Sequence, residues 1–262
     1  MTEKMEFGVR VAGMPFLIRT GHEKTKTFFR DFSSEPDSGE KATLLEASID
    51  ELAMAEKKYI DTLKQEGLPV PDRISICLPE LTVIHEKMTL ALLDRNIFLL
   101  HGSALCMDGR AYIFTAPSGT GKSTHTRLWR EVYGDRVQMI NDDKPFIRFD
   151  ALRHAFLVCG SPWKGKHGLG TDMEAPLRGL CILHRAAENR IRRLAPEEAM
   201  PELIQQIYWP AERDHVIKTL SFASDLLKYI PVYELLCNMD PGAARLSYRV
   251  LAGEEKESSG PH

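Results

Sequence analysis

The sequence predicts an α/β protein built on a mixed sheet, with an α+β region ahead of it, and three stretches carry that prediction. Residues 98–107 and 110–115 read as two strands closed by the Asp108-Gly109 turn, an antiparallel hairpin. That hairpin runs straight into Ala116-Pro117-Ser118-Gly119-Thr120-Gly121-Lys122-Ser123-Thr124, after which a helical pattern begins. A short apolar strand at 137–140 then ends in Asn141-Asp142-Asp143. Parallel strands need long crossovers, so a hairpin feeding directly into the glycine turn implies strands of both directions in one sheet.

The remaining elements follow in order. Residues 6–19 alternate well enough for one or two strands, and 33–41 are charged and small, a mobile loop. Leu45, Ile49, Leu52, Ala55 and Ile60 predict a helix over 44–63 that ends before Gly67-Leu68-Pro69. Residues 74–78 read as a strand, and Pro79-Glu80 opens a helix to about Leu93. His85-Glu86 lacks a second histidine, since Thr89 stands in its place, which excludes zinc-protease chemistry. Strands are expected at 145–150, 154–159, 177–183 and 232–236, and helices at 196–209, 214–229 and 241–251. Arg185, Arg190, Arg192 and Arg193 read as a solvated basic run. The domain boundaries predicted are 1–94 for the α+β region, 95–253 for the domain with the glycine turn, and 254–262 for a disordered tail.

The glycine turn has the chemistry of a phosphate site. Gly119 and Gly121 let backbone amides converge on an oxyanion, with Ser118, Thr120 and Thr124 completing the cradle at a helix N-terminus. Lys122 is placed to bridge β- and γ-phosphates, and the Ser123 hydroxyl to ligate Mg²⁺. The pattern G-x-x-x-x-G-K-[ST] begins with glycine, and here Ala116 holds that place. Asp142 and Asp143 lie where carboxylates at a neighbouring strand end serve metal and proton chemistry; both reach one site only if the strand ends there, and otherwise they form a solvated turn. Residues 160–172 form a glycine-rich cationic loop with Trp163, Lys164, Lys166 and His167, and its part 160–170, with glycines at 160, 165, 168 and 170, reads as a mobile lid ordered by nucleotide.

His101-Gly102, the turn Ser118-Gly119-x-Gly121-Lys122-Ser123, and Asp142-Asp143 together resemble the catalytic domain of bacterial HPr kinase/phosphorylase, a superfamily shared with ATP-dependent phosphoenolpyruvate carboxykinase. Leu177-Arg178-Gly179-Leu180-Cys181-Ile182 is similar to that kinase's signature region, with Pro176 where the family carries a metal-linked glutamate. The phrases Ser161-Pro162-Trp163-Lys164-Gly165-Lys166 and Cys237-Asn238-Met239-Asp240-Pro241 look like a branch associated with bacterial peptide-modification clusters. The resemblance covers about residues 97–185 and implies the mixed-sheet fold of that group, with His101 on the hairpin strand beside the turn. It further implies ATP and Mg²⁺ as cofactors, a serine of a peptide or small protein as acceptor, and an oligomer of identical chains. In that light Asp142 is the base, assisted by His101, and Asp143 with Ser123 holds the metal, although the two aspartates are exchangeable; Arg178, Lys164 and Lys166 neutralise the transferring phosphoryl group. A nucleotide-binding scaffold or switch without transfer is the alternative. A carboxykinase is disfavoured by length and by the lack of that enzyme's second metal-binding set.

Composition excludes other classes. The 262 residues are 43% hydrophobic and 27% charged, enough for a sizeable core. A net charge of −3 gives no drive toward nucleic acid or anionic membrane. Five dispersed cysteines without a C-x-x-C pair argue for reduced thiols, and no signal-like or membrane-length apolar run occurs, so a cytoplasmic protein is expected.

Overall fold

The computed structural model describes residues 4–72, 74–75 and 77–253; the expected disordered tail lies outside them. The chain divides into two compact units, Met1–Arg95 and Asn96–His262.

In the first unit β1 (Met5–Val11) and β2 (Met14–Thr20) form a hairpin whose turn residues, Ala12 and Gly13, have φ of 50° and 79°. Two positive φ values match the turn to the right-handed twist of the strands. A short helix, α1 (Glu23–Phe28), follows. β3 (Thr43–Glu46) lies parallel to β2, so Leu44 and Leu45 belong to a strand and not to the predicted helix. The Leu45–Ile49 spacing imitates a helical period, but the helix α2 (Ile49–Gln65) opens only at Ser48. There the Ser48 hydroxyl accepts the Glu51 amide while Glu51 accepts the Ser48 amide, a reciprocal cap. Lys87 and that amide hold the Glu51 carboxyl down at about 2.

The strand predicted at 74–78 does not form. Ile74 and Ser75 are irregular, Ile76 lies outside the described residues, and Cys77 and Leu78 already belong to α3 (Cys77–Leu93). The Leu78 amide bonds to Ser75 O, so helical bonding starts early and Pro79 sits in the first turn, where a missing N–H costs nothing. Glu80 on α3 is buried, and its carboxylate accepts hydrogen bonds from the hydroxyls of Thr20 and Thr25. One acidic side chain thus ties β2, α1 and α3 together.

The second unit is a curled mixed sheet with helices against it. Its strands among the described residues are β4 (Ile97–Leu99), β5 (Ser103–Met107), β6 (Arg110–Thr115), β7 (Val137–Asn141), β8 (Phe146–Asp150), β9 (Ala155–Cys159), β10 (Glu174–Arg185), β11 (Arg190–Arg193) and β12 (Val232–Cys237). The order is β4-β8-β9-β10-β6-β5-β7, with β12 also on β10 and β11 on β12. β10 makes the sheet curl: its first residues pair antiparallel with β9, and its later ones lie parallel to β6 on one side and β12 on the other. The predicted hairpin strand 98–107 is broken, β4 pairing with β8 and β5 with β6, so His101 lies in the break and not on a strand.

The helices are α4 (Lys122–Tyr133), α5 (Pro196–Leu203), α6 (Arg213–Tyr229) and α7 (Gly242–Ala252). α5 stops before the predicted end at 209 because the backbone of 206–208 is used elsewhere: Gln206 O accepts the His101 amide and the Tyr208 amide bonds to Leu99 O. The basic run at 190–193 proves to be an edge strand, with Arg192 paired to Glu234 on β12; charges on an edge discourage further pairing.

α4 and α7 share one core with the sheet, centred on Phe114, Leu128, Trp129, Leu183, Leu235 and Leu251. α7 approaches so closely that a Cβ on Gly179 would sit 2.4 Å from Leu251 Cδ2. Inside this core the indole N–H of Trp129 donates to Ser247 Oγ at 2.9 Å, and His125 Nε2 lies 3.0 Å from the same oxygen. Burial pushes His125 down to about 3. The unfolded chain takes that proton near the ordinary histidine value while the fold resists it, so this contribution is intact above about pH 6.5 and is lost as pH falls toward 3. Urea unfolding across that window is expected to show the decline, and His125→Gln to flatten it; an identical slope in both proteins would exclude His125 as its source.

Candidate functional site

Strand direction sets the site. β5 is antiparallel to both β6 and β7, so β6, β7, β10 and β12 all end at one edge of the sheet. Along that edge the order is the end of β7, the start of β5, the end of β6, then the ends of β10 and β12. In open α/β sheets ligands bind outside such carboxyl ends. Neighbouring strands lie about 4.8 Å apart, so these five positions span about 20 Å.

In the middle of the edge, β6 ends at Thr115 and the chain turns through Ala116 to Gly121 into α4. Gly119 (φ 78°) and Gly121 (φ 129°) occupy backbone conformations that side chains disfavour. The first amides of α4 have no partner within the helix, so they gather at its N-terminus beside the turn. Ser118 and Gly119 are exposed, Thr120, Ser123 and Thr124 half-buried, and Lys122 is buried. The Lys122 ammonium donates to Ala116 O at 2.8 Å, curling back over the turn. Burial pulls its pKa down, and the nearby Asp143 carboxylate opposes that.

The end of β7 carries the aspartates, and the strand does end there. Asn141 is fully buried, and its carboxamide is the joint of the region. Its oxygen accepts the amides of Asp143 (2.8 Å) and Lys144 (2.6 Å), which turns the chain sharply. Its nitrogen donates to Ser161 O, Ser161 Oγ and Trp163 O. Asp142 is buried: Oδ1 accepts the Gly165 amide at 2.5 Å, while Oδ2 is shut off from water without a hydrogen-bond partner. Asp143 is half-exposed, with His101 Nε2 at 3.5 Å and Lys144 Nζ at 3.9 Å. The Asp143 carbonyl also accepts the Gly102 amide, which brings the start of β5 alongside.

His101 is held on three sides. Its Nδ1 lies 3.0 Å from Gln206 Oε1, its amide bonds to Gln206 O, and its carbonyl accepts the Thr115 hydroxyl. Burial lowers its pKa, with the charge of Lys122 acting in the same direction. Lys122, Asp143, His101 and Lys144 therefore form one electrostatic cluster between the turn and the end of β7.

Three sequence expectations change. His101, expected to assist Asp142, faces Asp143 instead. Arg178 is not at this edge: it sits beside Ala111, the start of β6, with its guanidinium against Gly253 at the end of α7. Four strand residues, about 13 Å, separate it from the level of Thr115, and Pro176 lies further away still. Arg185 stands at the turn instead, donating to Thr120 O at 3.0 Å and to Gly119 O. It was legible only as part of a basic run, because its partners are backbone carbonyls. The segment 160–170 expected as a lid lies as a strap along β7: Trp163 is buried, the Asp142 amide bonds to Leu169 O, and the Thr171 amide to Ile140 O. Gly160 is needed where the strap closes, since a Cβ there would lie 2.0 Å from Thr171 O. Lys164 is half-buried and Lys166 exposed on it.

The oxygens present suit a hard divalent cation: the Ser123 hydroxyl, the Asp143 carboxylate and the unpartnered Asp142 Oδ2. Among the described residues no group of three or more His, Cys, Asp or Glu forms a preassembled metal site, so such an ion would need ligands from a bound phosphate. No helix among those residues is long and apolar enough to cross a membrane.

Asn141→Ala removes the shared partner of the aspartate turn and the strap. Amide exchange at Asp142, Gly165 and Thr171 is expected to accelerate at least about tenfold, with about 1–3 kcal/mol lost from urea stability. Exchange that is already fast in the parent protein would show that the strap is not pinned.

No family model and no curated protein matches the chain. Among solved structures it is similar to the HPr(Ser) kinase/phosphatase from Coxiella burnetii, at 10% identity and a TM-score of 0.34, over 62% of this chain and 99% of that one.

Proposed function

We propose that the second unit is a nucleotide-dependent phosphotransferase acting on a hydroxyl acceptor. One observation carries the reading: a glycine turn opening a helix, with a buried lysine, shares a sheet edge with an aspartate pair and a histidine held beside it. The amides of residues 118–124 and Lys122 bind the polyphosphate, and Lys122 exchanges its bond to Ala116 O for one to phosphate oxygens. Mg²⁺, when bound through Ser123 and Asp143, neutralises phosphate charge. The acceptor hydroxyl gives its proton to the Asp142 carboxylate as its oxygen bonds to the γ-phosphorus. The bond to the β–γ bridging oxygen breaks, and the nucleoside diphosphate leaves with those electrons. Gly165 matters here, because a Cβ in its place would lie 3.1 Å from Asp142 Oδ2 and crowd the carboxylate. His101 orients the Asp143 carboxylate against the cluster's positive charge. The acceptor assigned is a serine-type hydroxyl of a peptide or small protein.

A nucleotide-binding switch without transfer is the second reading, favoured by Pro176 and by the absence of Arg178 from the edge. It predicts binding without product.

Lys122→Ala is expected to weaken Mg·ATP at least about a hundredfold by calorimetry, since the turn loses its bridging cation. Unchanged affinity in a folded variant would sink the phosphate assignment. Asp142→Asn should bind Mg·ATP normally and lose transfer to serine peptides, while Asp143→Asn should mainly weaken the Mg²⁺ dependence of binding. Reversed behaviour exchanges the two roles, and normal transfer in both removes the aspartates from the chemistry.

A further inference from the structure

At the other end of the sheet from the glycine turn, α6 and the strands β4, β8 and β9 enclose a cleft of about 500 Å³. Its floor is three buried rings: Phe98 on β4 stacks on Phe222 of α6 at 3.8 Å, and Phe156 on β9 meets Phe222 edge-on at 5.8 Å. Phe149, Ile217 and Tyr229 line its sides and stay exposed, Tyr229 by 71%. Phe149 and Tyr229 both rest on Phe156, with ring centres 5.2 and 6.3 Å away. We propose that this cleft seats an aromatic side chain of the acceptor peptide, an anchor that presents the peptide's serine to Asp142 from a distance. The proposal rests on the phosphotransferase reading of the second unit and adds a separate docking subsite for its acceptor.

Four observations support it. A single exposed apolar residue needs no explanation, but three of them around one cleft, over a floor of three rings, form a continuous apolar surface of the kind that marks a binding site. The rings already present meet face to face and edge to face, and an aromatic guest continues that packing where a branched aliphatic one does not. The wall given by α6 favours a polypeptide over a hydrocarbon. Ile217, Ser221, Asp225 and Tyr229 recur every four residues and so share one stripe, apolar at its ends and polar between them. A hydrocarbon would leave Ser221 and Asp225 facing a dry surface, whereas a peptide brings amides to meet them. The strands supply the route to the chemistry. β4 runs from Phe98 toward His101, and β8, paired to it, begins three residues after Asp143 and reaches Phe149. At most about 20 Å of chain therefore separates the aspartates from the cleft, the span of five or six residues of an extended peptide. The cluster of Lys122, His101, Asp143 and Lys144 is charged and suits a phosphate and a hydroxyl, but it offers nothing that tells one serine peptide from another. Binding energy from a remote side chain provides that selection and holds the hydroxyl in place.

The test uses fluorescein-labelled peptides with one serine in an alanine and glutamine background and one phenylalanine moved position by position away from it on either side. Binding to the full chain is read by anisotropy, and transfer from Mg·ATP by peptide mass. Phenylalanine about five or six residues from the serine is expected to tighten binding about tenfold over the alanine peptide and to lower KM by the same factor, with kcat unchanged. Tyr229→Ala and Phe149→Ala, both at exposed positions outside the charged cluster, should erase that gain and leave Mg·ATP affinity and transfer to the alanine peptide within about twofold. Ser221→Trp, which fills the cleft from an exposed position, should cause the same loss without removing a packed ring. If no phenylalanine position improves binding, or the gain survives in all three variants, the anchor proposal falls; transfer to the alanine peptide would still leave the phosphotransferase reading standing. If the phenylalanine peptides bind in the cleft but no serine is phosphorylated, that reading fails and takes the anchor with it. A sedimentation mass of two chains that Tyr229→Ala reduces to one would give the cleft to a second copy and overturn the proposal.

Discussion

Everything at the sheet edge depends on how one buried carboxamide is shared. Asn141 uses its oxygen to bend the chain after β7 and its nitrogen to hold the strap, so it positions Asp142 and Asp143 together with their own contacts. An aspartate in its place would offer only acceptors and would face the Ser161 and Trp163 carbonyls across a hydrogen-bond gap. A group with both donor and acceptor ends is required, and the short amide of asparagine reaches both partners from a strand end. Fully satisfied polar groups inside a protein specify one geometry, because every alternative leaves a buried group unpaired.

The same economy governs the charges. Lys122 is buried but rests on its own turn's carbonyl, and Asp143 is flanked by His101 and Lys144, so both charges find partners within the protein. Asp142 is the exception. It carries a carboxylate oxygen with no partner in a water-poor place, a cost that an acceptor hydroxyl or a cation could relieve. Lys122 and Arg185 lie toward the middle of the edge and the unpaired Asp142 oxygen at one end, an asymmetry that under the proposed reading favours one orientation of a polyphosphate.

The parts legible in the sequence were those with local causes. The hairpin showed in Asp108-Gly109, the helix start in the glycine turn, and the end of β7 in Asn141-Asp142-Asp143, because each is a matter of φ values and short-range hydrogen bonds. The misreadings have non-local causes. β3 exists because β2 offers it an edge, while its leucines alone fit a helix as well. α5 stops short because the backbone after it is committed to β4 and His101. Arg178 and Arg185 sit seven residues apart on one strand, and only the pairing register of β10 with β6 says which one meets the turn. The strap's glycines suggested freedom, yet Gly160 serves close packing and Gly165 leaves room beside a carboxylate.

The helix that opens at the glycine turn is fastened to the chain's last described helix, through His125 and Trp129 to Ser247, across 122 and 118 residues. β10, which flanks β6, also needs β12 on its other side. A ribosome making this protein therefore completes the turn's sequence long before it completes the surroundings that shape it. The nascent chain carries an exposed Trp129 face and an unformed sheet edge until α7 has cleared the exit tunnel. The surroundings that shape the turn are thus complete only once α7 has been made, and until then the apolar face of Trp129 lacks its partners.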